Sequence, residues 1–172
     1  ILNVGTIETR KNLNAILQAI PIMKNDLPIV VVGRKTKYFN FLKVQMKKLK
    51  IESSRILFLN NVSIEELPSI YKLADLFIYP SLFEGFGIPI IESLISGTPV
   101  ITSKDGCFTE AGGKDSLYID PLNYDEIAHT IDNLLSDTEK QQIMAAKGKE
   151  FVKKFDPNKL SSELMEIYQS LI

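Results

Sequence analysis

The chain has one cysteine, Cys107, and one histidine, His129, in 172 residues. A lone cysteine excludes an internal disulfide and a Cys-rich metal site, and with so few ligands a structural zinc site is out of reach. A reduced, cytosolic setting is the expectation that follows. Excess charge of either sign is missing too: 20 Lys+Arg stand against 21 Asp+Glu, and nothing in that balance calls for nucleic acid as a partner. No apolar run approaches membrane-spanning length. The familiar phosphate-handling fingerprints are absent: the Gly-x-x-x-x-Gly-Lys-Ser/Thr loop, a Gly-x-Gly-x-x-Gly after the first strand, and an Asp-x-Asp pair.

By length the chain is one domain, large enough to bury its own core. Ile1-Leu2-Asn3-Val4-Gly5 already reads as a strand running into a turn glycine, with no initiator Met or signal region, and the expectation is a piece of something longer. Further buried strands are predicted at residues 28–33, 55–59, 76–79, 100–102 and 117–119, each a short apolar run between turn residues. Helical stripes lie between them: Leu13, Ile16, Leu17 and Ile20; Leu42, Met46 and Leu49; Leu67, Ile70, Tyr71 and Ala74; Ile127, Ile131, Leu134 and Leu135. A last stripe of Leu160, Leu164, Ile167, Tyr168 and Leu171 follows Asp156-Pro157. Caps are expected from Thr9, from Ser63 with Glu66, from Asn123 with Glu126, and from Ser136 opening a helix with Glu139. The loop from Ser103 to Ser116 should hold a short helical turn near Glu110. Lys43, Lys47 and Lys50 beside the second stripe fit either a solvated face, which is favoured, or a membrane-surface element. Strands alternating with helices imply an α/β fold, a Rossmann-like doubly wound parallel sheet with helices on both faces. Such sheets bind ligands beyond the carboxyl ends of their strands.

Two loops on that rim carry chemistry. In Glu84-Gly85-Phe86-Gly87-Ile88-Pro89-Ile90-Ile91-Glu92, Pro89 suits the first helical position, and Gly85 and Gly87 let a ligand approach the backbone. Free N–H groups at such a helix start attract phosphate. Glu92, about one turn into the helix, leans back toward the same ligand and suits a ribose diol rather than a phosphate. The pair Glu84 and Glu92 could instead be a glycosidase-like acid and base, or two exposed glutamates. Earlier in the chain, Arg10 and Lys11 fall in the first turn after Thr9, where cations oppose the helix dipole unless an anion sits there. They are either a second anion grip or two solvated charges. His129 lies off its helix's apolar stripe and reads as solvent-facing; Cys107 sits in a polar loop with no neighbouring histidine in sequence.

The segments VGTIETRKNL, PIVVVG, ADLFIYPSLFEGFG, EGFGIPIIE continuing ESLISGTPVITS, and YIDPLNYDEIA resemble, in order and spacing, the retaining glycosyltransferase family 4. The resemblance covers nearly the whole chain. It implies the C-terminal, donor-binding half of a GT-B enzyme, residues 1–172 forming one nucleotide-sugar-binding domain, with the N-terminal acceptor half absent. Lys11 matches the family lysine on the donor diphosphate, with Arg10 its neighbour. Glu84 matches the glutamate near the donor sugar, the backbone of Phe86, Gly87 and Ile88 the part facing diphosphate and sugar, Glu92 the ribose ligand, and Val62 a backbone contact to the base. Lys11 and Glu84 are thus the catalytic candidates. Thr6 stands where many members have Arg, which shifts phosphate neutralisation onto Lys11 and Arg10.

The implied reaction is transfer of a hexosyl group from a nucleoside diphosphate sugar to a hydroxyl of a sugar, glycan or glycolipid acceptor, with retention of configuration, as in polysaccharide biosynthesis. No metal and no cofactor is expected, and no protein nucleophile is assigned. The full-length protein would be cytoplasmic or peripheral at the inner membrane face, and the isolated chain inactive. The alternatives are a GT-B nucleotide-sugar 2-epimerase and a non-catalytic sugar-nucleotide-binding module.

Overall fold

The short apolar runs become six strands in the computed structural model, which describes residues 1–171: β1 Leu2–Val4, β2 Ile29–Val32, β3 Ile56–Leu59, β4 Phe77–Tyr79, β5 Val100–Ser103 and β6 Leu117–Ile119. Their order is β3-β2-β1-β4-β5-β6 and every pairing is parallel. The runs are continuous rather than alternating because both faces are covered. On one face Ile29, Val31, Ile78 and Ile101 pack with α1 (Leu13–Ala19), α2 (Tyr38–Lys48) and α6 (Tyr124–Leu135). On the other, Leu2, Val32, Phe77, Tyr79 and Val100 pack with α3 (Leu67–Lys72), α4 (Ile88–Ser96) and α5 (Phe108–Gly112). Burying a side chain such as Leu17 or Ile131, both fully enclosed, contributes roughly 1.5–3 kcal/mol each.

Strand order reverses between β1 and β4, and there the pairing is thinnest. A single register pair, Leu2 with Phe77, joins the two strands, and the buried Asn3 Nδ2 donates to Ile78 O at 2.8 Å where the ladder has stopped. At such a reversal point, open α/β sheets hold their ligands beyond the carboxyl ends of the strands, beside the loops that here follow β1 and β4.

Several local expectations are met in detail. Asn123 accepts from the Glu126 N–H, and Ser63 and Glu66 exchange both bonds of a capping box at 2.9 and 3.2 Å, although the regular helix begins only at Leu67. Three expectations are corrected. Thr9 does not cap α1: Thr9–Lys11 forms a separate 3-10 turn, and the residue before α1 is Asn12, in a left-handed conformation. Asp137, not Ser136, caps α7 (Thr138–Phe151): its carboxylate accepts from the Lys140 N–H in the first turn, while Ser136 ends the preceding helix. The last helix, α8 (Pro157–Ser170), is opened by Asp156 as expected, but Leu164, Ile167, Tyr168 and Leu171 are exposed because the helix lies outside the two core layers. The side chain of Leu160 falls outside the described residues.

Candidate functional site at the strand-order reversal

The loop after β1 leads from Gly5 into the 3-10 turn that holds Arg10 and Lys11. Gly5, with φ of 149°, lies alongside the Lys11 stem, where a Cβ would make an ordinary contact with Lys11 Cε at 3.4 Å; glycine is favoured there by the backbone conformation. Asn12 then clamps the turn, its Nδ2 donating to Pro80 O at 3.1 Å and Pro121 O at 2.9 Å, while Leu82 N–H donates to Arg10 O at 2.8 Å. The β1 loop is thereby stitched to the loop after β4. Gly33 completes the approach of the β2 loop, since a Cβ on it would meet Gly5 O at 1.9 Å.

Glu84 comes from the β4 loop and meets both cations. Arg10 Nη1 lies 2.6 Å from Glu84 Oε2 and Lys11 Nζ 2.7 Å from Oε1, with the Glu84 side chain 9% and the Lys11 side chain 13% exposed. Burial alone would raise the Glu84 carboxyl, but the nearby Lys11, Arg10 and Tyr79 outweigh it and hold the group below the usual carboxylate range. Glu8 adds a second carboxylate to Arg10 at 2.9 Å. The anion that relieves these cations is therefore a protein side chain. They precede the helix instead of opposing its dipole, so the expectation of a first-turn cation pair at a bare helix start is corrected.

Tyr79, which in sequence reads only as a strand residue, is a member of the cluster. Its hydroxyl bonds Lys11 Nζ, and the ammonium also lies 4.8 Å from the ring centre. Burial, then the Glu84 charge, pushes the phenol well above its ordinary value, so it stays protonated. A tyrosine ending an otherwise aliphatic strand was the available signal, because a buried phenol needs a polar partner.

The glycine-rich helix start stands beside this cluster. Gly87, with φ of 109°, is the N-cap of α4, and Pro89 lies in its first turn. No N–H of Phe86, Gly87 or Ile88 is bonded to a protein acceptor among the described residues, and nothing lies within 4 Å of where a Gly85 Cβ would be. Ile88 is 63% exposed, while the Phe86 ring is fixed from outside the motif, edge-on to Phe155 at 5.6 Å. Glu92 sits further along α4, with Oε2 accepting from the Tyr71 hydroxyl at 2.9 Å. The two glutamates thus have separate partners. Val62, after β3, is on the same rim but half-buried against the α3 and α4 side of the core, and no hydrogen bond among the described residues ties it to the cluster.

Cys107 is half-buried at the start of α5, its thiol donating to Glu84 O at 3.3 Å; burial and then the charges of Glu84 and Glu110 push the thiol up, away from thiolate chemistry. His129 is exposed, as read from the sequence. Lys43, Lys47 and Lys50 are exposed along α2 and its end. No helix is long and apolar enough to cross a membrane among the described residues.

A doubly wound parallel sheet with cations and an open helix start at the order reversal places this chain among Rossmann-like α/β domains. It belongs to the family of glycosyl transferases, group 1, whose pattern matches residues 1–151. The chain is 31% identical over 174 residues to an O-antigen chain mannosyltransferase B of Escherichia coli, covering 99% of this chain and 45% of that protein. Among solved structures it superimposes on Anabaena Alr3699/HepE in complex with UDP with a TM-score of 0.90 at 22% identity, over 98% of this chain and 48% of that one. The C-terminal domain of a glycosyl transferase group 1 family protein (LpcC) from Francisella tularensis gives a TM-score of 0.77 at 26% identity, over 89% and 84% of the two chains. The chain thus spans about half the length of the curated relatives it matches.

Proposed function

We propose that this chain is the donor-binding domain of a GT-B glycosyltransferase, taking a nucleoside diphosphate sugar at the crevice between the β1 and β4 loops. The observation that carries the reading is the Arg10–Lys11–Glu84 cluster set beside the unbonded N–H groups at the start of α4. Arg10 and Lys11 face Glu84, with Glu8 at the exposed edge of Arg10, and the helix start beside them adds donors without adding flexible side chains or a further carboxylate. A diphosphate bound across the two would be met by Lys11, Arg10 and the backbone of Phe86, Gly87 and Ile88. With Thr6 supplying no charge from the β1 loop, these groups carry the neutralisation.

In the reaction, charge develops on the departing diphosphate, and donors fixed before the substrate arrives stabilise it without reorganising. Glu84, anchored by three partners, stands where the donor sugar would lie; Glu92 accepts from the ribose, and Val62 backs the base. Transfer of a hexosyl group to an acceptor hydroxyl would proceed with retention, on one face of the sugar, with the acceptor brought by the rest of a longer protein. The relative's activity as a mannosyltransferase and the neighbour's bound UDP support a sugar nucleotide as ligand. The setting would be the cytoplasm or the inner face of a membrane.

Calorimetric titration of the folded chain with UDP, GDP and ADP tests the site. Weak binding of at least one is expected, and no heat from any of them at millimolar concentration overturns the reading.

A further inference from the structure

Tyr71 does what a core residue of α3 should do, and one thing more. Its ring is 1% exposed and meets Phe77 edge-on at 5.4 Å, which a phenylalanine would do as well. Its hydroxyl leaves the core and donates to Glu92 Oε2 at 2.9 Å, linking α3 to α4. Burial, and then the Glu92 charge, pushes the phenol far up, so the hydroxyl is a permanent donor. Glu92 Oε1 accepts from no protein group among the described residues. A carboxylate has about four acceptor sites, so one bond from Tyr71 leaves enough for two neighbouring hydroxyls while fixing which way the group faces.

The same aromatic row reaches the other glutamate. Phe77 stacks on Tyr79 at 5.6 Å, and the Tyr79 hydroxyl belongs to the Lys11 and Glu84 cluster. Tyr71, Phe77 and Tyr79 are all buried, so one packed aromatic row, edge-on and then stacked, carries a phenol toward each of the two carboxylates.

We propose that Tyr71 is a positioning residue for ribose recognition: it touches no part of the donor, but orients Glu92 so that the carboxylate accepts from the ribose diol. This rests on the donor-site reading above. Orientation by a fixed donor is the kind of support that makes a recognition group selective, because the free rotamers of a glutamate are otherwise lost on binding.

The test compares Tyr71→Phe with the unaltered chain, using UDP or GDP, whichever binds, its 2′,3′-dideoxy form, and inorganic pyrophosphate. Removing only the hydroxyl should weaken the ribonucleotide roughly three- to tenfold while leaving the dideoxy form and pyrophosphate unchanged. In a Glu92→Ala background the same change should cost nothing further. Equal affinities for the ribonucleotide in both chains, or an equal loss for all three ligands, overturns the role of Tyr71 while leaving the site intact. If the unaltered chain binds no nucleoside diphosphate, the site reading and this role fall together.

Discussion

Lys11 Nζ lies 2.7 Å from Glu84 Oε1, across the point where the order of the sheet reverses. The lysine is supplied by the loop after β1 and the glutamate by the loop after β4, so the contact exists only once both strands are in the sheet. Being largely shielded from water, the pair is not a surface ion pair of negligible value; taking away one partner leaves the other uncompensated. The two loops are held together by the protein's own side chains.

Lys11→Ala should therefore weaken nucleoside diphosphate and inorganic pyrophosphate alike, by about ten- to a hundredfold, the scale of one charge-assisted contact. Calorimetry on both ligands checks this, and an unchanged affinity would make Lys11 a bystander. Glu92→Ala should separate the two ligands instead, costing nucleoside diphosphate affinity and sparing pyrophosphate.

The stability of the domain should fall with pH through Glu84. Its folded pKa is held below its unfolded value of about 4.3, so its contribution is complete above that value and is lost as pH drops through the folded pKa. Urea unfolding of the chain and of Glu84→Gln should show a stability gap at about pH 6 that narrows toward pH 3. A gap that widens on acidification would contradict the sign.

Gly33→Ala should be severe although glycine lies at the end of a strand, outside any catalytic motif. The new Cβ would lie 1.9 Å from Gly5 O, a backbone atom that cannot swing aside as a side chain would, so the β1 and β2 loops must part. A loss on the order of 3 kcal/mol or more is expected from urea unfolding, as for other forced backbone clashes. Part of the donor affinity should go with it, since Lys11 rides on the displaced loop.

Phe155→Ala should loosen the helix start at α4 from a distance. Phe155 meets both Phe86 at 5.6 Å and Phe151 at 5.8 Å, so its ring is the link between the glycine loop and the end of α7. Hydrogen exchange at residues 84–88 should speed up in the alanine variant and return toward normal in Phe155→Leu, which keeps apolar bulk.

The alternation of strands and helices, the capping pairs Ser63 with Glu66 and Asn123 with Glu126, and the Gly87-Pro89 helix start were all legible in the sequence. Each is decided by atoms a few residues apart, so local order is enough to read them. Thr9 and Ser136 misled for the same reason in reverse: a neighbouring residue, Asn12 or Asp137, took the boundary, and such boundaries turn on one residue's backbone conformation. The stripe of α8 was visible as a pattern, yet periodicity does not say whether a face meets a core, and here Leu164 and Tyr168 stay exposed.

What the sequence determined by itself was the kind of fold, the order of its strands and helices along the chain, and the loops after β1 and β4 that share one rim. The tertiary structure decided who holds whom. Arg10, Lys11 and Glu84 come together, and Tyr71 and Tyr79 turn from core residues into partners of the two glutamates, because parallel crossovers bring loops distant in number side by side. No spacing along a chain encodes that distance; it is set by strand order, and strand order is set by the packing of the whole sheet.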